Sequence, residues 1–244
     1  MTELYSLTFD PRLLAQIQTQ TQPKLTREEK SDLVEEHAAE PIKDRATIQK
    51  IASYYLNRGE LRNYTLFVVG INVGLRISDL LKLRFQDVFN EDGTVKNEFL
   101  LREKKTNKRR AIGLSERSKE ALIAYRNSLS DYSPDKFIFR SESRALKYSC
   151  ENKPMTRQGV QTVLDRTWKD LGLTTRNGTH MLRKTFAYQI LTDTTDPFER
   201  TRRLETLMRM LNHSSIQVTL AYAGISREEE MNLYHNLDFG LEAI

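Results

Sequence analysis

Residues 62–74, RNYTLFVVGINVG, are apolar on almost every side of a helical wheel. A surface helix carries one apolar stripe and a polar back, whereas a helix that is apolar all round has to be enclosed by other elements. The stretch therefore predicts a buried helix inside a sizeable core, ended by Gly74. Neighbouring segments read as its cover. Ile48, Ile51, Ala52 and Leu56 share one face of TIQKIASYYLNRG, which Gly59 closes.

The remaining segments follow the same logic. SDLLKLRFQDV predicts a short helix with Ser78 as its N-cap. NEFLLREKK and RRAIGLS predict two strands joined by a tight TNK connection, a β-hairpin with a basic tip. SERSKEALIAYRNSL is a helix with Ala121, Leu122 and Tyr125 inward, and DKFIFRS is a short strand or extended segment. In TRQGVQTVLDRTWKDLGL, Val160, Val163, Leu164, Trp168 and Leu171 form one stripe, so the single Trp belongs to the core. THMLRKTFAYQILTD is a helix capped at Thr179. ERTRRLETLMRMLNHS and IQVTLAYAG are two more. SREEEMNLYHNL is a last helix, with Ser226 as N-cap and Glu229 at the capping-box position. The fold class that results is mainly α with one small antiparallel β-sheet (α+β).

Composition narrows the function classes. The 244 residues hold a single cysteine, Cys150, so an internal disulfide is excluded. With four histidines and no CxxC there is no metal-ligand signature, and no metal or other cofactor is expected. No run of about 18 apolar residues predicts a membrane helix, and the N-terminus has no signal-peptide pattern. The single cysteine fits a reducing cytosol, and a cytoplasmic location is expected. Charge is uneven: residues 1–42 carry eight acids and four bases, which leaves 34 bases and 25 acids to the rest. Residues 1–42 read as an acidic arm, mobile or partner-docking, with too few apolar residues for a core of its own. A basic body with an acidic leader points to a polyanionic partner.

Several motifs could carry chemistry on a polyanion. Arg76 in GLRISDL follows a helix-ending glycine, where a guanidinium held at a bend suits bidentate phosphate recognition. Read alone, it is a surface arginine. In THMLRKTFA, His180 and Arg183 are three residues apart and share a helix face, with Leu182, Phe186 and Ile190 on the buried side; read alone, this is a surface pair. Lys104 and Lys105 flank the hairpin turn, where a charged turn is the commoner meaning. Tyr222 follows His213 by nine residues in LNHSSIQVTLAYAGIS. A phenol with a pKa of about 10 needs nearby cations to become a nucleophile.

Taken in order, Arg76, Lys105, His180-x-x-Arg183, His213 and Tyr222 resemble the catalytic signature of the tyrosine recombinase (phage integrase) family. GLRISDLLKLRFQDV, HMLRKTFA and LNHSSIQVTLAYAGIS are similar to three of its strongest segments, and the resemblance spans about residues 43–235. It implies a tyrosine recombinase catalytic-domain-like fold for 43–235, with 236–244 as a C-terminal tail that docks in trans through Leu237, Phe239 and Leu241. It implies a site-specific recombinase, independent of metal and ATP, that cuts and rejoins double-stranded DNA through a 3′-phosphotyrosyl intermediate. Tyr222 would be the nucleophile, Arg76 and Arg183 the grip on the scissile phosphate, and Lys105 the acid for the leaving 5′-oxygen. His180 would be a general acid/base or positioning group, and His213 a second hydrogen-bond donor to the phosphate. Asp79 is expected to support the Arg76 bend; Lys108, Arg157 and Lys184 are expected to contact flanking phosphates. A homo-oligomer on DNA, dimer or tetramer, is expected, and no membrane partner.

Two departures stand out. About forty residues precede the catalytic part, too few for the family's full core-binding domain. Asn212 also stands where the family often has glycine. Two other readings share part of the pattern: a non-catalytic DNA-binding protein with the same fold, and a type IB topoisomerase-like enzyme that relaxes one duplex.

Overall fold

The computed structural model describes residues 9–19, 39–102, 109–141 and 152–225. In chain order the described helices are α1 (Pro11–Thr19), α2 (Arg45–Asn57), α3 (Leu61–Val73), α4 (Ile77–Leu80), α5 (Phe85–Val88), α6 (Glu116–Asn127), α7 (Arg157–Leu171), α8 (Met181–Thr192), α9 (Pro197–Leu211) and α10 (Ile216–Tyr222). Strands β1 (Glu98–Arg102) and β2 (Arg109–Gly113) lie between α5 and α6. The chain divides into two compact units, one within residues 37–186 and the other containing residues 9–19 and 187–225. The division falls within α8.

In the first unit α3 is the enclosed helix that its composition demands. Thr65, Leu66, Phe67, Val68, Val69, Gly70 and Val73 are all buried. Helices α2 and α6 pack against it, and the Thr65 hydroxyl donates to the Ala121 carbonyl at 3.0 Å. Each fully enclosed Leu or Phe here contributes roughly 1.5–3 kcal/mol relative to exposure. Helix α6 is capped by Ser115 and turns Ala121, Leu122 and Tyr125 inward, as its sequence requires. On α7, Val160, Leu164 and Trp168 are buried, and the indole donates to Thr175 Oγ1 at 3.2 Å. The tryptophan is core.

The sheet is the expected antiparallel hairpin, with Phe99 opposite Ile112 and Leu101 opposite Arg110. Phe99 and Ile112 are both buried, which fixes the register, because a slip of one residue would turn both to solvent. The basic tip, with Lys104, Lys105 and Lys108, lies outside the described residues. So do the expected last helix at 226–237 and the tail anchors Leu237, Phe239 and Leu241.

Three local expectations need correction. Ser78 is not the cap of α4: the helix begins at Ile77 with Arg76 at the N-cap, and Ser78 is exposed inside it. The burial of Ile77 and Leu80 sets that start, whatever the capping chemistry. DKFIFRS joins no sheet. Nor is it extended: turns run through it between two isolated bridges, Arg84 with Phe137 and Arg140 with Pro154, and burial of Ile138 and Phe139, both fully enclosed, fixes its path. Helix α1 was not anticipated among the Gln/Thr-rich leader. Asp10 caps it, accepting from the amides of Arg12 and Leu13, and Pro11 is its first residue.

In the second unit α9 starts at Pro197 behind an Asp196 cap and buries Leu204, Leu207 and Leu211. Helices α1 and α10 both pack on α9. Arg200 is buried there and donates to the Leu191 carbonyl at 3.2 Å, closing the end of α8. Burial draws its pKa below the usual arginine value. Among the described residues no helix is long and apolar enough to cross a membrane.

Candidate active site

Helix α3 ends at Gly74 in the left-handed conformation, with φ +60° and ψ +26°. A Cβ at that position would stand 2.3 Å from the Phe186 ring, so both the backbone and the space require glycine. The chain leaves through buried Leu75 and reaches Arg76, which is extended and half-buried. The Arg76 carbonyl accepts the amides of Asp79 and Leu80 at 2.9 and 3.0 Å, and so starts α4. Asp79 lies in the first turn of that helix, three residues from Arg76. Arg183 comes from α8. It is only 5% exposed, and its Nη1 donates to the Gly74 carbonyl at 2.8 Å.

His180 stands just ahead of α8, half-buried, with its carbonyl accepting the Lys184 amide at 2.9 Å. Thr179 before it is buried and accepts from Arg157 Nε at 3.2 Å, so Arg157 braces the turn that carries the histidine. The expected split of α8 into an exposed and a buried face does not occur at its start, where residues 181–187 are all buried. Lys184, expected beside flanking phosphates, is 4% exposed and donates Nζ to the Ala39 carbonyl at 2.8 Å. Two further bonds stitch the same segment down: Ile42 N to Thr185 Oγ1 at 2.9 Å and Glu40 N to Arg176 O at 2.9 Å. A Cβ on Gly178 would meet Ala39 at 2.9 Å.

The second unit holds the other two residues. Helix α9 ends at Asn212, whose φ of 55° and ψ of 45° place it in the left-handed region. The His213 amide then bonds to the Met208 carbonyl at 3.0 Å, which closes the helix end and turns the chain. Ser215 caps α10, accepting the Val218 amide at 3.2 Å, and Tyr222 is the last residue of that helix. Two turns of helix fold Tyr222 back onto His213. Their rings meet edge to face with centroids 5.0 Å apart and an interplanar angle of 65°. His213 Nδ1 lies 3.1 Å from Thr219 Oγ1. Tyr222 is 3% exposed. The nine-residue spacing is thus a turn, a cap and a short helix that bring imidazole and phenol together.

Within the first unit, Arg76 and Arg183 are joined through the Gly74 junction, His180 stands at the start of α8, and Arg157, the first residue of α7, bonds to Thr179 beside it. Within the second, His213 and Tyr222 are in contact. Lys105 and Lys108 lie outside the described residues. Among the described residues no group of three His, Cys, Asp or Glu side chains could hold a metal ion. Taken separately, the first unit groups guanidinium and imidazole side chains of the kind that bind phosphate, and the second pairs an imidazole with a phenol, a side chain that can serve as a nucleophile.

The family model described as "Phage integrase family" matches residues 43–229. The chain belongs to this family. The probable integrase/recombinase YoeC of Bacillus subtilis is 33% identical over 198 residues, covering 81% of this chain and 96% of that protein. The tyrosine recombinase XerC of Pediococcus pentosaceus is 26% identical over 175 residues, 72% of this chain and 54% of that one. The chain spans about half the length of the XerC relatives it matches. Among solved structures, XerA recombinase superposes with a TM-score of 0.60 at 20% identity, covering 82% of this chain and 65% of that chain. XerH bound to its palindromic difH substrate gives 0.57 at 18% identity, over 82% of this chain and 53% of that chain. The fold is that of the tyrosine recombinase catalytic domain.

Asn212, which departs from the glycine expected at this position, sits at a left-handed helix end, and asparagine is among the few residues other than glycine that tolerate it. Sequence reasoning passed over Thr219. Its spacing, six residues after His213 and three before Tyr222 on one short helix, was the available signal.

Proposed function

We propose that this member of the phage integrase family is a site-specific DNA recombinase. The Tyr222 phenol gives its proton to His180 acting as general base and attacks a strand phosphate, an Oη–P bond forms, and the bond to the 5′-oxygen breaks. The leaving oxygen takes a proton from Lys105 and departs as a 5′-hydroxyl. A 5′-hydroxyl of a partner strand then attacks the phosphotyrosyl link and reverses each step. The phosphodiester energy stays in the adduct, so rejoining draws on no ATP. Arg76 and Arg183 hold the nonbridging oxygens, where transition-state charge accumulates. His180 positions or exchanges protons, and His213 donates a second hydrogen bond to the phosphate. Arg157 braces the His180 turn and, with Lys108, contacts flanking phosphates; Asp79 supports the Arg76 bend.

The observation that carries this reading is the edge-to-face contact of His213 with Tyr222, in a chain matched to the family across both units. Residues 43–235 would form the catalytic domain, 1–42 an acidic arm, mobile or partner-docking, and 236–244 a tail that docks on a neighbouring protomer in a dimer or tetramer on DNA. The protein would act on nucleoid DNA in the cytoplasm.

The test uses labelled, nicked duplexes from the ends of the element that carries the gene. Wild type and Tyr222→Phe are compared on a denaturing gel. A slower, protease-sensitive band in wild type alone supports the assignment. No such band, with binding retained on native gels, turns the reading to a DNA-binding protein without strand cleavage.

A further inference from the structure

We propose that residues 39–42, the last four of the acidic leader, form a strap that positions the His180 turn, with Lys184 and Thr185 as the positioning residues that anchor it. The proposal rests on the reading of His180 and Arg183 as parts of a phosphoryl-transfer site.

The strap is stiffened by its own sequence. Pro41 has a fixed φ and no amide proton, and it biases Glu40 before it toward extended backbone. The amides on either side of the proline both reach the segment that carries His180. Glu40 N donates to the Arg176 carbonyl at 2.9 Å, and Ile42 N donates to Thr185 Oγ1 at 2.9 Å. In return, Lys184 Nζ donates to the Ala39 carbonyl at 2.8 Å. Each of these bonds has one possible direction, because an amide and an ammonium only donate. Ala39, Pro41 and Ile42 are buried, and Glu40 is exposed.

His180 lies inside the span that these bonds grip. Arg176 is four residues before it, and Lys184 and Thr185 are four and five after it. Between them the turn closes on itself: the Met181 amide donates to Gly178 O at 2.9 Å and the Lys184 amide to His180 O at 2.9 Å. Gly178 leaves room for the strap, since a Cβ there would stand 2.9 Å from the Ala39 methyl. Residues 183 to 185 of α8 thus bond in succession to Gly74, Ala39 and Ile42. The first is the proposed grip on phosphate, and the next two fix the turn. Packing alone does not call for this chemistry. An ammonium that is 4% exposed is costly unless acceptors meet it, and an apolar side chain would serve packing without that cost. A lysine and a threonine that reach the strap's backbone set its register, and with it the place from which His180 acts.

Four full-length variants test the strap. Thr185→Val removes the hydroxyl that accepts the Ile42 amide and keeps the shape; Thr185→Ser keeps the hydroxyl. Glu40→Pro removes the other amide from an exposed position. Thr65→Val is the control, since it removes a buried hydroxyl bond of the same kind on α3, outside the strap and the turn. The chain has four histidines, and His180→Gln assigns the His180 imidazole in proton spectra of the DNA-free protein. That resonance should move in Thr185→Val and Glu40→Pro, return in Thr185→Ser and stay in place in Thr65→Val. With saturating nicked duplexes, single-turnover adduct formation should fall on the order of tenfold to a hundredfold in Thr185→Val, at unchanged duplex affinity, and recover in Thr185→Ser. An unmoved His180 resonance in Thr185→Val or Glu40→Pro would overturn the proposal. So would a Thr185→Val enzyme as fast as wild type, or an equal loss in Thr65→Val, which would make the effect one of stability. If wild type forms no adduct, the functional reading fails, and the spectra still decide whether the strap holds the His180 turn.

Discussion

The guanidinium of Arg183 is bonded to the carbonyl of Gly74 at 2.8 Å. Phe186, three residues further along α8, fills the space that a side chain at residue 74 would need. Only Leu75 separates Gly74 from Arg76. The two arginines proposed to grip one phosphate are therefore set by a single junction, in which the side chain of one orders the backbone that carries the other.

Gly74→Ala should break that junction. A left-handed backbone is unfavourable for alanine, and its methyl would enter the Phe186 ring. We expect a loss of about 2–4 kcal/mol in urea unfolding, with less adduct per folded molecule. Adding Phe186→Ala would remove the clash but empty a buried site, so the double variant should be no more stable than Gly74→Ala. An unchanged urea midpoint for Gly74→Ala would contradict the junction.

Lys184→Met separates a structural lysine from a DNA contact. Removing the ammonium leaves the Ala39 carbonyl without this donor, and stability should drop by about 1–3 kcal/mol. The slope of log affinity for duplex DNA against log salt should stay at the wild-type value. A slope smaller by about one, with stability unchanged, would instead make Lys184 a phosphate contact.

Asp131 should shape the acid limb of stability. Arg140 meets it with two bonds, 2.5 and 2.6 Å, and Lys136 adds a third at 3.0 Å. The Arg140 bonds, helped by Lys136, hold its carboxyl well below the usual range. A carboxyl depressed in the folded state stabilises it above the unfolded pKa of about 3.9 and loses that contribution as pH falls toward the folded value. The cluster is partly exposed, so the effect is small at neutral pH. Asp131→Asn should flatten the decline of melting temperature below about pH 4, and an identical acid slope in both proteins would rule this out.

Asn212 offers a test of the left-handed helix end. Asn212→Ala should cost about 1 kcal/mol in thermal unfolding, and Asn212→Gly should match or exceed wild type. Alanine as stable as asparagine would mean that the turn adopts another conformation in solution.

What could be read from the sequence was what local chemistry encodes. The enclosed α3, the hairpin, the core Trp168 and the order of Arg76, His180, Arg183, His213 and Tyr222 all follow from spacing within one helix or one turn. Helical and strand periods are properties of a few consecutive residues, and so is a cap. The tertiary structure decided which charged groups are enclosed. Arg183 and Lys184 read as surface residues because nothing beside them in the chain can satisfy a buried cation. Their acceptors, Gly74 O and Ala39 O, lie 109 and 145 residues away in sequence. The start of α4 moved from Ser78 to Arg76 for the same kind of reason, since burial of Ile77 and Leu80 outweighs a serine cap. A polar group's partner is a long-range fact, and it is set only when the chain has folded and water has been removed from around that group.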